Sequence, residues 1–301
     1  ISGNRQSRVI GVQANRRVGI SGLTLTEGNG AGTPNSGEGG GALNAAGSHF
    51  SVVDSVLRNN IITSFGGAIR NRDGALLVVR NSTMMDNRGT AAIASGVNSM
   101  LIASGSTISR NDAGGAGALY LNDAVGEITH CTITDNFGDF GGIESGSRAS
   151  VQNTVVARNQ SGDLADAPVS RGHNLIGDPG TVTGFTQPGD QTGTAANPLD
   201  PKLSPLAIHS GQVPTHMPLA GSPALDKGLR YGRDQRGLNG VFDIGSIAPA
   251  TGGNNADIGA VEAQAIIVST TNDSGAGSLR QAIIDANANG GGTDDVLFSV
   301  N

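Results

Sequence analysis

The feature that most constrains the fold of this chain is an internal repeat. An asparagine closes each repeat unit and recurs at steps of 23 to 27 residues, at Asn60, Asn87, Asn111, Asn136 and Asn159. A period in this range matches one coil of a solenoid and is too short for a propeller blade. The leucine-rich motif and helical return of the rival leucine-rich repeat are absent. The repeat therefore predicts a solenoid whose coils are built from strands.

Three columns of apolar residues recur at fixed positions in each repeat. The column three positions before the asparagine comprises Leu57, Met84, Ile108, Ile133 and Val156. The column eight positions before it comprises Val52, Val79, Ala103, Ile128 and Val151. The third column follows a Gly- or Ala-rich pair and comprises Leu43, Ile69, Ile93, Leu119 and Ile143. Because neighbouring side chains in a strand alternate faces, these columns predict an all-β fold, a right-handed three-faced parallel β-helix.

The amino-acid composition fits such an interior. The chain has 48 glycines, no tryptophan and only 3% aromatic residues. A compact domain usually relies on large aromatic side chains for its core. The columns supply Val, Ile, Leu and Ala instead, which suits a narrow interior that repeats many times.

The strand before the asparagine carries two further columns. A column of small residues should face the interior and comprises Ser55, Ser82, Ser106, Cys131 and Thr154. A column that is β-branched throughout should face outward and comprises Val56, Thr83, Thr107, Thr132 and Val155. The asparagine itself is expected at a turn, where its amide can bond to the asparagine of the next coil. Asparagine also tolerates the left-handed conformation that a tight turn needs.

The residue immediately before each asparagine forms a charged column at Asn59, Asp86, Arg110, Asp135 and Arg158. With coils roughly 4.8 Å apart, neighbouring charges in this column can pair along the axis. One interpretation is a carbohydrate-binding or catalytic strip. The simpler one, which we favour, is a solvated row of ion pairs that contributes roughly a few tenths of a kcal/mol per step.

The repeat fades after Gly162, and the chain divides into three parts. Residues 1–164 should form the β-helix coils. Residues 165–264 should form an irregular, loop-rich cap on the end or flank of the solenoid, with one last degenerate coil at residues 170–177. Residues 265–301 predict a strand, a short capping α-helix and a second strand. In that helix Ser278 is the expected N-cap, and one face should carry Leu279, Ala282, Ile283 and Ala286.

These segments resemble a known family. The run Thr-Asn-Asp-Ser-Gly-Ala-Gly-Ser-Leu-Arg-Gln-Ala-Ile at 271–283 resembles the opening motif of bacterial β-helix surface proteins with a CSLREA-type start. Residues 197–262 resemble the choice-of-anchor Q region that closes such modules. Gly-Leu-Thr-Leu at 22–25 and the Gly-Gly-Ala-Ile repeats resemble the coils of polymorphic outer-membrane proteins. The resemblance implies a bacterial β-helix that is extracellular or displayed at the cell surface.

The order of these parts departs from the family pattern. The opening motif precedes the coils in the family, whereas here it follows the closing region. Since no signal peptide precedes Ile1, we expect a processed product or a piece of something longer. Either the chain is one register of a tandem array, or its tail caps the first coil of another copy. Both hypotheses predict a fibre or stalk, with an assembly segment that includes Leu279, Ile283, Val296 and Phe298.

Charge and composition narrow the expected partners. The net charge of -6 and the pI near 5.3 provide no basic patch, so nucleic acid is not an expected partner. No apolar run approaches the roughly 18 residues that span a bilayer. Cys131 is the only cysteine, which excludes an intrachain disulfide. We expect a structural or adhesive protein that self-associates head to tail and is not an enzyme. The alternative is a polysaccharide-binding or polysaccharide-cleaving β-helix.

Few residues are candidates for chemistry. We assign no catalytic residue, because Asp86 and Asp135 lie two coils apart and no dense acidic cluster accompanies them. The resemblance implies four recurring acids in the closing region, Asp226, Asp234, Asp257 and Glu262. We expect no cofactor, and the alternative is a calcium site at these four acids. Turn and cap hydrogen bonding is the simpler role for these acids. The five repeat asparagines are expected to be structural.

Overall fold

The computed structural model describes residues 1–115, 117–146, 148–166, 168–219, 221–244, 247–263, 265–268, 270–275, 277–288, 295–298 and 300. Short parallel strands dominate it and stack coil upon coil. The first coil contains β1 (Ile10–Val12), β2 (Arg17–Ser21) and β3 (Thr24–Thr26). The second contains β4 (Ala42–Asn44), β5 (His49–Val53) and β6 (Val56–Arg58). The third contains β7 (Ile69–Asn71), β8 (Leu76–Arg80), β9 (Thr83–Met85) and β10 (Arg88–Gly89).

The later coils repeat this arrangement. The fourth contains β11 (Ile93–Ser95), β12 (Met100–Ser104), β13 (Thr107–Ser109) and β14 (Asp112–Ala113). The fifth contains β15 (Leu119–Leu121), β16 (Val125–Thr129) and β17 (Thr132–Thr134). The sixth contains β18 (Ile143–Ser145), β19 (Ala149–Gln152) and β20 (Val155–Ala157). The seventh contains β21 (Leu164–Ala165), β22 (Val169–Ser170) and β23 (Leu175–Ile176), which extends the coils to Ile176.

The strands form three parallel sheets along the solenoid. Two sheets have seven strands, one strand per coil, and the third has eight because β24 (Gln191–Thr192) pairs with β23. The third sheet, which contains β3, β6, β9, β13, β17, β20 and β23, is called the ladder sheet below. This arrangement confirms the predicted three-faced parallel β-helix.

The interior is filled by the predicted columns, with one exception. The columns that contain Ile108 and Ala103 are in register from the second coil to the sixth, and their members are buried. In the third column, Ala42 rather than Leu43 pairs with Ile69. In this register Asn44 stands opposite Asn71, to which its side chain donates at 2.8 Å, and Leu43 lies opposite Arg70; because neighbouring side chains alternate faces, Leu43 points away from the column. The assignment of Leu43 to this column was wrong.

The closing region (residues 197–262) packs on the flank of the solenoid, against the ladder sheet. Thr83 donates from Oγ1 to the carbonyl of Pro214 at 2.7 Å, and the N–H of Ala260 donates to Thr132 Oγ1 at 3.0 Å. Val56 and Met85 form a cluster with Val213. The column that contains Thr83 and Thr132 therefore does face away from the interior, but it is buried under the closing region rather than exposed to solvent.

The C-terminal segment contains β25 (Ala265–Val268), α1 (Leu279–Ala288) and β26 (Asp295–Phe298). The two strands pair in parallel as a separate sheet. Ser278 caps the helix, because its Oγ accepts the N–H of Gln281 at 3.2 Å. Val268 and Ala282 pack in a cluster with Phe242 of the closing region.

Candidate functional site

The repeat asparagines form a hydrogen-bonded ladder in the wall of the solenoid. Each side chain donates from Nδ2 to Oδ1 of the asparagine one coil later, over 2.9 to 3.0 Å, in the series Asn60, Asn87, Asn111, Asn136 and Asn159. The same Oδ1 atom accepts the backbone N–H of the preceding asparagine at 3.1 Å. All five residues are buried. Because each amide pairs with the next, the row ties successive coils together along the axis.

Asp163 ends this ladder, and sequence reasoning missed it. Its Oδ1 accepts Nδ2 of Asn159 at 2.8 Å, and its Oδ2 accepts the N–H of Asp178 at 2.5 Å. Burial raises the pKa of Asp163 to about 6, although these hydrogen bonds act in the opposite direction. The last amide of the row needs an acceptor, and a carboxylate supplies one without adding a donor. The available signal was an acid four residues after the last repeat asparagine.

A second row of polar side chains ends in the same way. In the small-residue column, the Oγ atoms of Ser82 and Ser106 accept backbone N–H groups from the coil before. In the last coil Asn174 takes this position and accepts the N–H of Thr154 at 3.2 Å. Its Nδ2 then donates to Oδ1 of Asp190 at 3.0 Å. Both rows therefore finish on a carboxylate near the last coil.

The left-handed conformation lies one residue earlier than expected. It belongs to the column of residues before the asparagines, with φ of 54° to 60° at Asn59, Asp86, Arg110, Asp135 and Arg158. The asparagines themselves are not among the residues with positive φ. The turn thus places the charged residue outside and the amide inside.

The charged column pairs along the axis as two ion pairs. Arg110 donates from Nε and Nη2 to the two carboxylate oxygens of Asp86, at 3.0 and 2.8 Å. Arg158 donates from Nη2 to Asp135 at 3.0 Å. These side chains are between 32% and 41% exposed. The ion-pair interpretation of this column therefore describes its geometry, but the pairs remain accessible to a ligand.

A second outward column follows the asparagines, and sequence reasoning did not identify it. It comprises Ile61, Arg88, Asp112, Phe137 and Gln160. The first four residues are joined coil to coil by parallel bridges. Phe137 is 49% exposed. An open groove between the two outward columns, called the axial groove below, is lined by Asp86, Arg110, Asp112, Asp135, Phe137 and Gln160.

Histidines of the closing region and of the coils fasten the two parts together. His216 is buried, and its Nδ1 lies 2.7 Å from the carbonyl of Ser204, so Nδ1 carries the proton. Its Nε2 therefore accepts from Ser109 Oγ at 2.9 Å. Burial lowers the pKa of His216, and it lowers the pKa of His130 to about 4. Ser109 and His216 are both buried, which leaves this pair no access to a substrate.

The four calcium candidates are buried in the closing region, where backbone N–H groups bind their carboxylates. Asp257 accepts the N–H groups of Asp226 and Ala263 at 2.8 and 2.6 Å. Glu262 accepts the N–H groups of Phe242 and Asp257 at 2.7 and 2.8 Å. Burial raises the pKa of Asp226 and of Asp257 to about 7, and that of Glu262 well above its ordinary value.

Asp234 has a different partner. Arg236 donates to Oδ2 from Nε at 2.8 Å and from Nη2 at 2.7 Å, and both side chains are almost fully buried. Within the described ranges, no three acidic, histidine or cysteine side chains are arranged to hold a metal ion. The only one of these carboxylate oxygens that is buried without a partner is Oδ1 of Asp226. The geometry fits internal hydrogen bonding, and calcium stays a prediction.

The expected assembly residues lie at the surface of the C-terminal segment. Leu279, Ile283 and Phe298 are 44%, 50% and 62% exposed, and Ile284 beside them is 53% exposed. Val296 packs instead against the cluster of Phe242 and Ala282. The expected apolar face of α1 was thus only partly correct, because Ala282 and Ala286 turn toward the closing region while Leu279 and Ile283 do not.

Comparison with known proteins agrees with the geometry of the coils. A family model described as a right-handed β-helix region matches residues 6–161, just over half of the chain. No curated protein and no solved structure matches the chain. Among the described residues, no helix combines the length and apolar character that a membrane crossing requires.

Proposed function

Because the chain belongs to the right-handed β-helix family, we propose that it is a structural module of an extracellular bacterial rod, in which one copy or module stacks end to end on the next. The proposal rests on the exposed edge of the first coil. Within the described part of the chain, β1 and β2 pair only with strands of the second coil. Their outer edges present unpaired N–H and C=O groups, which solenoids normally cover with a cap or a further coil.

The interior is also open at this coil. Val18 stands in register with the fully buried Phe50, yet it is 38% exposed. Ile20 and Leu23 are only partly buried beside it. Apolar side chains that continue core columns lose solvent contact when another layer stacks on them, and that burial favours association.

The C-terminal segment has complementary properties. It contains two parallel strands in a sheet of their own and a helix with exposed Leu279, Ile283 and Ile284. A strand-helix-strand unit can cover a first coil by adding strands to its edge and laying apolar side chains over its core. The resemblance of residues 271–283 to a CSLREA-type opening motif supports this role, as does the likeness of residues 197–262 to a choice-of-anchor Q region.

The asparagine ladder supports a mechanical role. Its hydrogen bonds run along the long axis from Asn60 to Asp163, so they resist separation of the coils. Four candidates for catalysis have other roles: Asp86 and Asp135 pair with arginines, and Ser109 and His216 are buried. The function that this arrangement favours is a rigid spacer or an adhesive stalk.

The test compares Val18→Asp with Val97→Asp, because both valines are 38% exposed but Val97 lies away from the first coil. Sedimentation velocity and electron microscopy are performed over a range of protein concentrations. We expect the wild type and V97D to form filaments that lengthen with concentration. V18D should remain a short rod, since a charge would be buried in the contact.

The thermal transition is measured in parallel to show that both variants fold. Short wild-type rods at every concentration would overturn self-assembly. Filaments of V18D that match those of V97D would place the contact elsewhere than on the first coil.

A further inference from the structure

We propose that a pocket between the coils and the closing region binds a small organic cation, a protonated primary amine. This site goes beyond the structural role, because it lies on the flank of the rod and not at its stacking ends. The pocket, called the flank pocket below, has a volume of about 220 Å³. Its lining includes Asp54 and Asn81 of the coils and Gln212, Val213, Gln235 and Arg236 of the closing region.

The flank pocket lies beside a column of turn residues, called the turn column below. In each coil from the second to the sixth, one residue with φ between 45° and 53° joins the middle strand to the strand of the ladder sheet. The N–H of each turn residue donates to a carbonyl of the next coil, so these residues lie above one another. The turn column comprises Asp54, Asn81, Gly105, His130 and Asn153.

In the fifth and sixth coils the turn column holds the closing region. His130 donates from Nε2 to the carbonyl of Leu229 at 3.1 Å. Asn153 accepts the N–H of Leu229 at 2.7 Å and donates from Nδ2 to the carbonyl of Asp257 at 3.1 Å. Polar side chains of this column are therefore positioned to bind what lies on the flank of the coils.

In the second and third coils the same column has no protein partner. Within the described part of the chain, the side chains of Asp54 and Asn81 make no hydrogen bond and no ion pair, and the same is true of Gln212 across the pocket. One carboxylate and two amides without partners therefore line one pocket, although the equivalent side chains of the fifth and sixth coils are in use.

The remaining polar side chains of the flank pocket are already engaged. Arg236 pairs with Asp234, to which it donates from Nε at 2.8 Å and from Nη2 at 2.7 Å. Gln235 accepts from Thr107 Oγ1 at 2.6 Å and donates to the carbonyl of Ser82 at 3.1 Å. The positive charge in the pocket wall is thus balanced, and the carboxylate of Asp54 is the charge without a counterpart.

The groups without partners complement an ammonium. A carboxylate only accepts hydrogen bonds, and the amides of Asn81 and Gln212 each supply an oxygen acceptor. A primary ammonium has three N–H donors and no acceptor. Its charge offsets that of Asp54, which a neutral ligand cannot do. Val213 adds an apolar wall against which the methylene groups of an alkylamine can pack.

Size distinguishes an amine from a bare metal ion. A volume of about 220 Å³ has room for roughly seven water molecules at about 30 Å³ each, which suits a molecule of several heavy atoms. A calcium ion needs about six to eight oxygens at about 2.3–2.6 Å. The pocket lining contains a single carboxylate, that of Asp54. The flank pocket therefore favours an organic cation.

The test uses three probes that share a four-carbon chain and differ in charge: putrescine, butane-1,4-diol and succinate. Isothermal titration calorimetry measures their binding to the full chain, and NMR signals of the side-chain amides of Asn81 and Gln212 locate it. We expect putrescine to bind and to shift these signals. The diol and succinate should bind at least tenfold more weakly, and calcium should not displace putrescine.

The main variant is Asp54→Asn, with Asp123→Asn as its matched control. Both aspartates occupy left-handed turns, with φ of 45° and 48°, and asparagine tolerates this conformation. Asp123 is exposed and is not part of the pocket lining. D54N should weaken the binding of putrescine at least tenfold, whereas D123N should leave it unchanged. The thermal transition, measured in parallel, shows that both variants fold.

A third variant should strengthen binding. Gln212 is exposed, so Gln212→Glu adds a second carboxylate without disturbing the core, and we expect putrescine to bind at least threefold more tightly. Failure of putrescine to bind, equal binding by D54N and D123N, equal binding of the diol or succinate, or displacement by calcium would each overturn the proposal. None of these results bears on the stacking of rods, which V18D tests separately.

Discussion

The coils and the closing region bury polar groups in opposite ways. In the coils, the buried ladder asparagines are neutral and each internal one pairs with an equivalent amide one coil away, as Asn87 pairs with Asn111. In the closing region the buried set includes acids and arginines, and each has its own set of partners, as Asp234 has Arg236. In a repeated row of neutral amides, every internal side chain finds its hydrogen-bond partner in the same way, one coil away. A charged cluster depends on each of its members, because burial of an unpaired charge costs far more than burial of an unpaired amide.

This difference predicts where single substitutions do most damage. The apolar columns should be least tolerant of charge, followed by the buried ion pair of the closing region. The ladder should be more tolerant, because loss of one amide leaves the remaining rungs in place. The end of the ladder should show the smallest effect, as a dependence on pH.

The largest effect is expected for Ile108→Asp. Ile108 is 1% exposed and lies in the middle of an apolar column between Met84 and Ile133. A carboxylate there has no partner, so we expect loss of more than about 4 kcal/mol and failure to fold cooperatively. Urea unfolding followed by circular dichroism measures it, with V97D as the exposed control. An unchanged unfolding midpoint would show that this column does not face the interior.

The next effect is expected for Arg236→Met. It leaves the Asp234 carboxylate buried without its cation, so we expect a loss of about 3–5 kcal/mol in the free energy of unfolding. The matched control is Arg233→Met, because Arg233 is exposed and donates only to the carbonyl of Gly237. Urea unfolding measures both variants. Exposed ion pairs contribute less than about 1 kcal/mol. A loss below that value in R236M would show that the buried ion pair is no more sensitive to substitution than the ladder.

A smaller effect is expected for Asn111→Ala. The substitution removes the acceptor of Asn87 and the donor to Asn136, and leaves both partners buried. We expect a loss of about 1–3 kcal/mol in the free energy of unfolding. The same substitution at Asn87 should cost a similar amount, because every internal rung has equivalent bonds. Unequal losses at the two positions, measured by urea unfolding, would show that the row does not act as identical rungs.

The contrast also explains what the sequence could predict. Periodic features could be predicted from the sequence, because a column such as that of Ile108 has the same surroundings in every coil. The register error at Leu43 arose in a coil where Asn44 pairs with Asn71, so that Ala42 and not Leu43 stands opposite Ile69. The burial of Thr107 could not be predicted, because the residue that covers it is Gln235, which lies 128 residues away in the chain and belongs to no repeat.

The candidate sites show the same limit. The ladder was predictable because it repeats, whereas its end at Asp163 occurs once. The groove was missed because Phe137 is the only aromatic residue of its column, and its exposure follows from the turn rather than from any motif. The left-handed position was misplaced by one residue because asparagine follows it in every coil and arginine occupies it at Arg110 and Arg158, although arginine is not enriched at positive φ.

The smallest effect concerns the pH dependence of the ladder end, tested with Asp163→Asn. The folded-state pKa of Asp163 is raised to about 6 from an ordinary value of 3.8. An acid whose pKa is raised by folding stabilises the fold fully at pH values below its ordinary pKa. This contribution is lost as the pH rises through the folded-state pKa. D163N lacks the ionisation, and its new amide faces the N–H of Asp178, which costs a hydrogen bond at every pH. The stability advantage of the wild type should therefore be largest near pH 4.

Urea unfolding at pH 4, 5, 6 and 7 measures this difference between the wild type and D163N. We expect the difference to shrink by about 1 kcal/mol per pH unit between pH 5 and 6, the approach to the limit for one proton. Asp226 and Asp257, whose pKa values are raised to about 7, titrate equally in both proteins and cancel. A difference that is constant from pH 4 to 7 would mean that Asp163 is ionised throughout. The ladder would then end on a permanent buried charge, and the distinction between neutral coils and a charged closing region would fail at this residue.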